Sequence, residues 1–234
     1  MKILVPYYSR SGYTERLAKT LAAELIVRGH EVVLEKIVAV RERNKWLLVP
    51  PLLPLLPLLP LYLLYPPFRH WWLRCYRQAE QDIKPLAHPD VSGFDLIILG
   101  GPKWLYISFP VARYLKTVQG LSGKNVGAFA TFCGPPLQVF ELEMLFRPLM
   151  DRIHAKGACV FDTLAISSNY HPFFWFGELE AVFRWISKLA FKRPLSEFTL
   201  DSEWGRSEVK HFCDSVGSAI ESMESGANPA SKFC

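Results

Sequence analysis

Apolar residues fall along this chain in two alternating periods. Residues 2–8, with Ile3, Leu4, Val5, Tyr7 and Tyr8, form an apolar run without alternation, as a strand covered on both faces requires. From Thr14 the spacing changes: Leu17, Ala18, Leu21, Ala22 and Leu25 recur every three or four residues, which predicts a helix closed by Arg28-Gly29. Further strands are predicted over 31–40, 94–100, 125–132 and 158–166, with helices over 109–118, 138–155 and 203–223. Strand and helix alternate five times, so the expected fold class is α/β, a doubly wound parallel sheet with right-handed crossovers.

Two stretches break the alternation. Residues 46–65 carry no charge, and Pro51, Pro54, Pro57 and Pro60 recur every third position among leucines. The length suits a membrane span, but each proline would remove a helical hydrogen bond that hydrocarbon cannot replace. The three-residue repeat matches polyproline II instead. Residues 68–77 then mix aromatic and basic side chains (Phe68, Arg69, His70, Trp71, Trp72, Arg74, Tyr76, Arg77), a composition favoured at the membrane–water boundary. The expectation is a monotopic membrane-contact insertion over 46–77, followed by an amphipathic helix to residue 84. The alternatives are a hydrophobic flap over the protein's own ligand cleft, a dimer contact, or a true span. A second aromatic cluster, Tyr170 to Phe176, precedes a helical pattern through Leu179, Val182, Phe183, Ile186, Leu189 and Ala190 that ends at Lys192-Arg193-Pro194. Its thin polar side and basic end suit anionic headgroups or a helix C-terminus. The organisation is therefore one domain over 1–226 with insertions at 41–90 and 167–203, and a loose tail over 227–234.

Composition narrows the function classes. Half of the 234 residues are hydrophobic, and the net charge of +5 suits an anionic cofactor or membrane surface but is too small to argue for nucleic acid. Five scattered cysteines without a C-x-x-C pair predict reduced thiols rather than a disulfide frame or zinc site. Met1-Lys2 runs straight into a strand, which predicts no signal peptide.

The candidate chemistry sits in three loops leaving the carboxyl ends of strands, where such sheets bind ligands. Ser9-Arg10-Ser11-Gly12-Tyr13-Thr14 joins the first strand to the first helix. Unpaired amides at a helix N-terminus, a turning glycine and three hydroxyls make an anion cradle, above all for a phosphate. The plainer alternative is that Ser11 or Thr14 only caps the helix. The second loop, Pro102-Lys103-Trp104-Leu105-Tyr106, carries a tryptophan that is either a ring wall or core packing. The third, Thr131-Phe132-Cys133-Gly134, holds a cysteine read as a small hydrophobe rather than a nucleophile. Arg10 either faces the phosphate or is solvated. His70 and His171 read as packing residues, and no metal site is expected.

The residues Tyr7 to Thr14 together with Phe94 to Trp104 resemble the flavodoxin-like FMN proteins, over roughly residues 1–40 and 91–165. The first loop fits that family's hydroxyl-x-hydroxyl-glycine-x-threonine pattern throughout. The resemblance implies a flavodoxin-like five-stranded sheet of order 2-1-3-4-5 with FMN as cofactor. Ser9 to Thr14 would hold the phosphate, Pro102 to Tyr106 would wall one face of the ring, and Thr131 to Gly134 would border the other. It further implies NAD(P)H or a carrier as electron donor. The basic charge and apolar insertions depart from the usual acidic flavodoxin. They point to a quinone-like acceptor and an anionic membrane surface met through 46–77 and 170–193, on the cytoplasmic side. A non-catalytic binding module and a pure electron carrier stay open, as does homo-oligomerisation.

Overall fold

The computed structural model describes residues 1–42, 57–75, 79–104, 106–168 and 176–224. The element order is β1 (Lys2–Tyr8), α1 (Tyr13–Val27), β2 (Glu31–Ile37), α2 (Leu59–Leu64), α3 (Pro66–Cys75), β3 (Leu96–Trp104), β4 (Tyr106–Ile107), α4 (Phe109–Thr117), β5 (Asn125–Phe132), α5 (Met144–His154), β6 (Cys159–Ser167), α6 (Phe176–Phe191) and α7 (Glu203–Glu224). The parallel strands run β2-β1-β3-β5-β6, which is the expected 2-1-3-4-5 order, and the two-residue β4 turns back antiparallel on β3.

The unbroken apolar runs of the strands follow from helices on both faces. Leu4, Tyr8, Ile97 and Leu99 point into one core with Val111, Tyr114 and Leu115 of α4 and Leu145, Leu149 and Ile153 of α5. Ile3, Val5, Leu96 and Ile98 point into the other, with Leu17, Leu21 and Leu25 of α1 and Phe212, Val216 and Ile220 of α7. Successive residues of a strand thus serve opposite layers, so neither parity can be polar. Gly100 is required at the sheet centre: a Cβ there would lie 2.1 Å from the ring of Phe129.

Differences from the expected elements have local causes. β3 runs four residues past Gly100 because Lys103 and Trp104 pair with Ile107 and Tyr106 in a hairpin. Residues 138–143 form a π-helical turn before α5, and Pro148 inside α5 has no amide to donate. The insertion is partly helical rather than wholly polyproline. Pro60 enters the first turn of α2 and Pro66 and Pro67 the first turn of α3, where no amide is needed. Residues 43–56, 76–78, Leu105, 169–175 and 225–234 lie outside the described residues, and with them much of both proposed membrane segments.

No helix follows as far as residue 84; the chain instead returns along the sheet edge. Val40 N donates to Asp82 O and Lys84 N to Val38 O, in an antiparallel bridge of Ala39 with Ile83. The buried Glu35 carboxylate accepts the His88 amide at 3.1 Å and faces its Nδ1 at 3.2 Å. Glu80 gathers Arg113, Lys116 and Arg152. Cys213 is a buried free thiol, and burial pushes it up to about 11. Cys159 is disulfide-bonded, against the expectation of five reduced cysteines. Among the described residues no helix is long and apolar enough to cross a membrane.

Candidate functional site

The first loop lies at the point of strand-order reversal, with β2 on one side of β1 and β3 on the other. Gly12 takes φ +92°, a left-handed conformation suited to glycine, and a Cβ there would meet no atom within 4 Å. Its amide donates to Ser9 Oγ at 3.1 Å, which folds the loop on itself and leaves its outer side open. No side chain caps α1. Ser11 is exposed, and buried Thr14 directs its hydroxyl to Thr131 Oγ1 at 2.7 Å. The capping alternative is therefore not the arrangement this loop adopts.

The Arg10 side chain is partly exposed, at 22%. Its Nη1 is buried without a hydrogen-bond partner, while its Nε lies 3.9 Å from Glu42 Oε2. The same carboxylate oxygen accepts the Tyr8 hydroxyl at 2.8 Å. Burial and the adjacent carboxylate both raise the Tyr8 pKa, so it stays a neutral donor. On the far side of the loop, Glu15 pairs with Lys19 at 2.8 Å and Lys36 at 2.6 Å. These hydrogen bonds hold its carboxyl down to about 2, so the one acidic group in the first turn of α1 is already neutralised.

The second loop is a hairpin. Pro102 is in register with Thr131 of β5, and Lys103 with Ile107 of β4. Trp104 is half-buried and meets the edges of Tyr8 at 5.4 Å and Phe109 at 5.3 Å, both near perpendicular. Those contacts fix the indole next to the Tyr8–Glu42–Arg10 group. Tyr106, expected beside the ring, is turned by β4 to the insertion: it is fully buried with Tyr62 and Met144 and accepts Trp72 Nε1 at 2.5 Å.

In the third loop Thr131 and Phe132 end β5 and are buried, while Cys133 is exposed with its Sγ 3.7 Å from Ser168 Oγ. Gly134 lies under α6, where a Cβ would stand 3.0 Å from Phe183. The structure thus joins loops one and three through Thr14 and Thr131, sets Trp104 beside loop one through Tyr8, and withdraws Tyr106 and Phe132 into cores.

A small, shallow cleft opens behind loop one at the ends of β5 and β6, lined by Tyr13, Arg16, Thr131, Ser167, Ser168 and Asp201 among others. Arg16 and Asp201 close one side with a two-pronged ion pair. Sequence reasoning missed Glu42, Ser167, Ser168 and Asp201. The paired serines at the end of the fifth strand were a usable signal, since that end faces the ligand side. Glu42 had none, because only tertiary structure brings it to Tyr8. Among the described residues no group of side chains could hold a metal ion.

No family model and no curated protein matches the chain. Solved structures do. Oxidised flavodoxin 2 from Bacillus cereus superposes with a TM-score of 0.50 at 17% identity, covering 94% of this chain and 99% of that one. A flavoprotein in complex with FMN from Lactobacillus acidophilus gives 0.46 at 18% identity, covering 70% and 92%. The two-electron reduced flavodoxin of Megasphaera elsdenii gives 0.41 at 16% identity, covering 70% and 84%. The strand order, the two helical layers and the match over nearly the full length of the Bacillus protein agree: this chain has the flavodoxin-like fold.

Proposed function

We propose that the protein is an FMN-dependent redox protein that passes electrons to an apolar, quinone-like acceptor at a membrane surface. The observation that carries the reading is the uncapped, hydroxyl-flanked N-terminus of α1 at the strand-order reversal, with the buried, unmatched Arg10 Nη1 in the same loop. A phosphate monoester supplies what both lack: acceptor oxygens for orphan amides and for a guanidinium that cannot lose its charge. The outer side of the loop is open at Gly12, so the fit is with a group that enters from solvent.

Ser9 to Thr14 would hold the phosphate, with Glu42 orienting Arg10 and Tyr8. Trp104 would wall the ring, with its indole braced by Tyr8 and Phe109. Pro102, Lys103 and the third-loop residues Thr131, Cys133 and Gly134 stand around the same end of the sheet. Bound FMN supplies one- and two-electron transfer from a donor such as NAD(P)H. The chain's own residues bind, orient and exclude water.

The membrane surface is supported by the outward side of the insertion. Leu58, Leu61, Leu64, Tyr65 and Trp71 are exposed on α2 and α3, as are Trp185 and Leu189 on α6. A second reading, a flavodoxin-fold binding module without flavin, draws on the Thr14–Thr131 bond and the edge contacts of Trp104, which narrow the space between the loops.

Titration with FMN and with riboflavin separates the readings. FMN is expected to bind and develop flavin absorbance, riboflavin to bind more weakly, and Arg10→Gln to reduce affinity for FMN but not for riboflavin. A protein that binds neither is the module. NAD(P)H oxidation with and without a short-chain quinone then divides enzyme from carrier.

A further inference from the structure

Beneath the insertion, where α3 meets the turn into α5, lies a charged group that the redox reading does not use. Glu143 stands between two guanidiniums: Arg69 Nε is 3.1 Å from Oε2 and Arg147 Nη1 is 3.4 Å from Oε1. Arg147 Nη1 also meets His70 Nδ1 at 2.6 Å. A guanidinium can only donate, so Nδ1 is the acceptor of this contact. Among the described side chains, two guanidiniums here meet one carboxylate.

Two donors in this group make no hydrogen bond, although one of them is ion-paired. Arg69 Nε is buried without a hydrogen bond, because its approach to Glu143 lacks the geometry for one. The Tyr62 hydroxyl is also buried and unpartnered, on a side chain with no exposed area, in the field of Tyr106, Glu143, Arg69 and Arg147. A surplus positive charge with unfilled donors in a part-desolvated junction is unfavourable without an anion. One edge of the group is open: the Arg147 side chain is 41% exposed, against 14% for Arg69. The helices that carry Arg69, His70 and Tyr62 present apolar residues outward, with Leu64 82% and Trp71 52% exposed. An anion with hydrocarbon attached meets both demands at once.

We propose that this junction is a binding site for the phosphate of an anionic membrane lipid, with Arg147 as its exposed contact, Arg69 and Tyr62 behind it, and the acyl chains against the outward side of α2 and α3. The site deepens the membrane part of the proposed function and rests on it. Lipid binding here would fix the insertion at the bilayer by a specific headgroup contact rather than by diffuse charge.

The test is flotation of the full chain on phosphatidylcholine vesicles with and without phosphatidylglycerol. Wild type is expected to prefer the anionic vesicles, and Arg147→Gln to lower that preference on the order of fivefold. Arg147→Lys should fall between them, since it keeps the charge but loses the fork. Lys210→Gln removes an equal charge from a remote exposed position on α7 and should leave the preference nearly intact. Unchanged thermal midpoints confirm that each variant folds.

An unaltered preference in Arg147→Gln, or an equal loss in Lys210→Gln, overturns the headgroup site while leaving membrane binding in place. Release from the anionic vesicles by millimolar-range inorganic phosphate identifies a free-phosphate site and overturns the lipid assignment. Failure to bind any vesicle overturns the membrane reading itself and this site with it.

Discussion

The hydroxyls of Thr14 and Thr131, 117 residues apart in the chain, meet at 2.7 Å inside the protein and tie the phosphate-type loop to the end of β5. Both side chains are buried. Thr131→Val should cost about 1–3 kcal/mol, because it strands the Thr14 hydroxyl. The double variant Thr14→Val/Thr131→Val should recover much of that loss. Urea unfolding of the two singles and the double measures the coupling, and additive losses would show that the hydroxyls do not depend on each other.

Gly100→Ala should destabilise by several kcal/mol or prevent folding, since its methyl would collide with the Phe129 ring. Phe129→Leu should partly rescue it by making room. Soluble yield and thermal midpoint of the single and double variants check the point.

Glu15 gives an acid-sensitive increment of stability. Its folded-state pKa is depressed to about 2 from 4.5 by Lys19 and Lys36, so the increment is fully present above the unfolded value. It is lost as pH falls from about 4.5 towards 2. Glu15→Gln should flatten this part of the pH profile, and added salt should shrink the difference between the two proteins. Urea midpoints measured across that window give the answer.

Tyr62→Phe removes a buried hydroxyl that has no partner, so the substitution should be neutral or stabilising by about 1 kcal/mol in the lipid-free protein. Tyr106→Phe should act in the opposite sense, because it strands the Trp72 indole N–H. A thermal-shift comparison of the pair tests whether the insertion docks as described.

The sheet was legible because its strands are apolar at every position and its helices keep a three-to-four spacing; the position of the first loop was legible because the apolar period changes across it. The inward turn of Tyr106 was not legible for a physical reason. A tyrosine two residues past a tryptophan can face a cleft or turn away, and only the β4 pairing with Lys103 and Trp104 decides. The helices α2 and α3 were hidden by prolines whose three-residue repeat suggests polyproline, although proline is tolerated where a helix begins. Glu42 and the Arg69–Glu143–Arg147 group depend on contacts between distant segments, which no local pattern records.

The antiparallel bridge of Ala39 with Ile83 makes the chain leave the sheet edge and come back side by side. Everything between is a loop closed at its neck. Closing a longer loop costs only about 0.6 kcal/mol for each doubling of its length. The size of the insertion is therefore nearly a free variable for the rest of the molecule, and the parallel strands would tolerate its exchange for a short turn. Such an exchange would remove the cover over Tyr106 together with Glu42 and Glu80, so shortening the loop should expose the hairpin that bears Trp104 long before it disturbs the sheet.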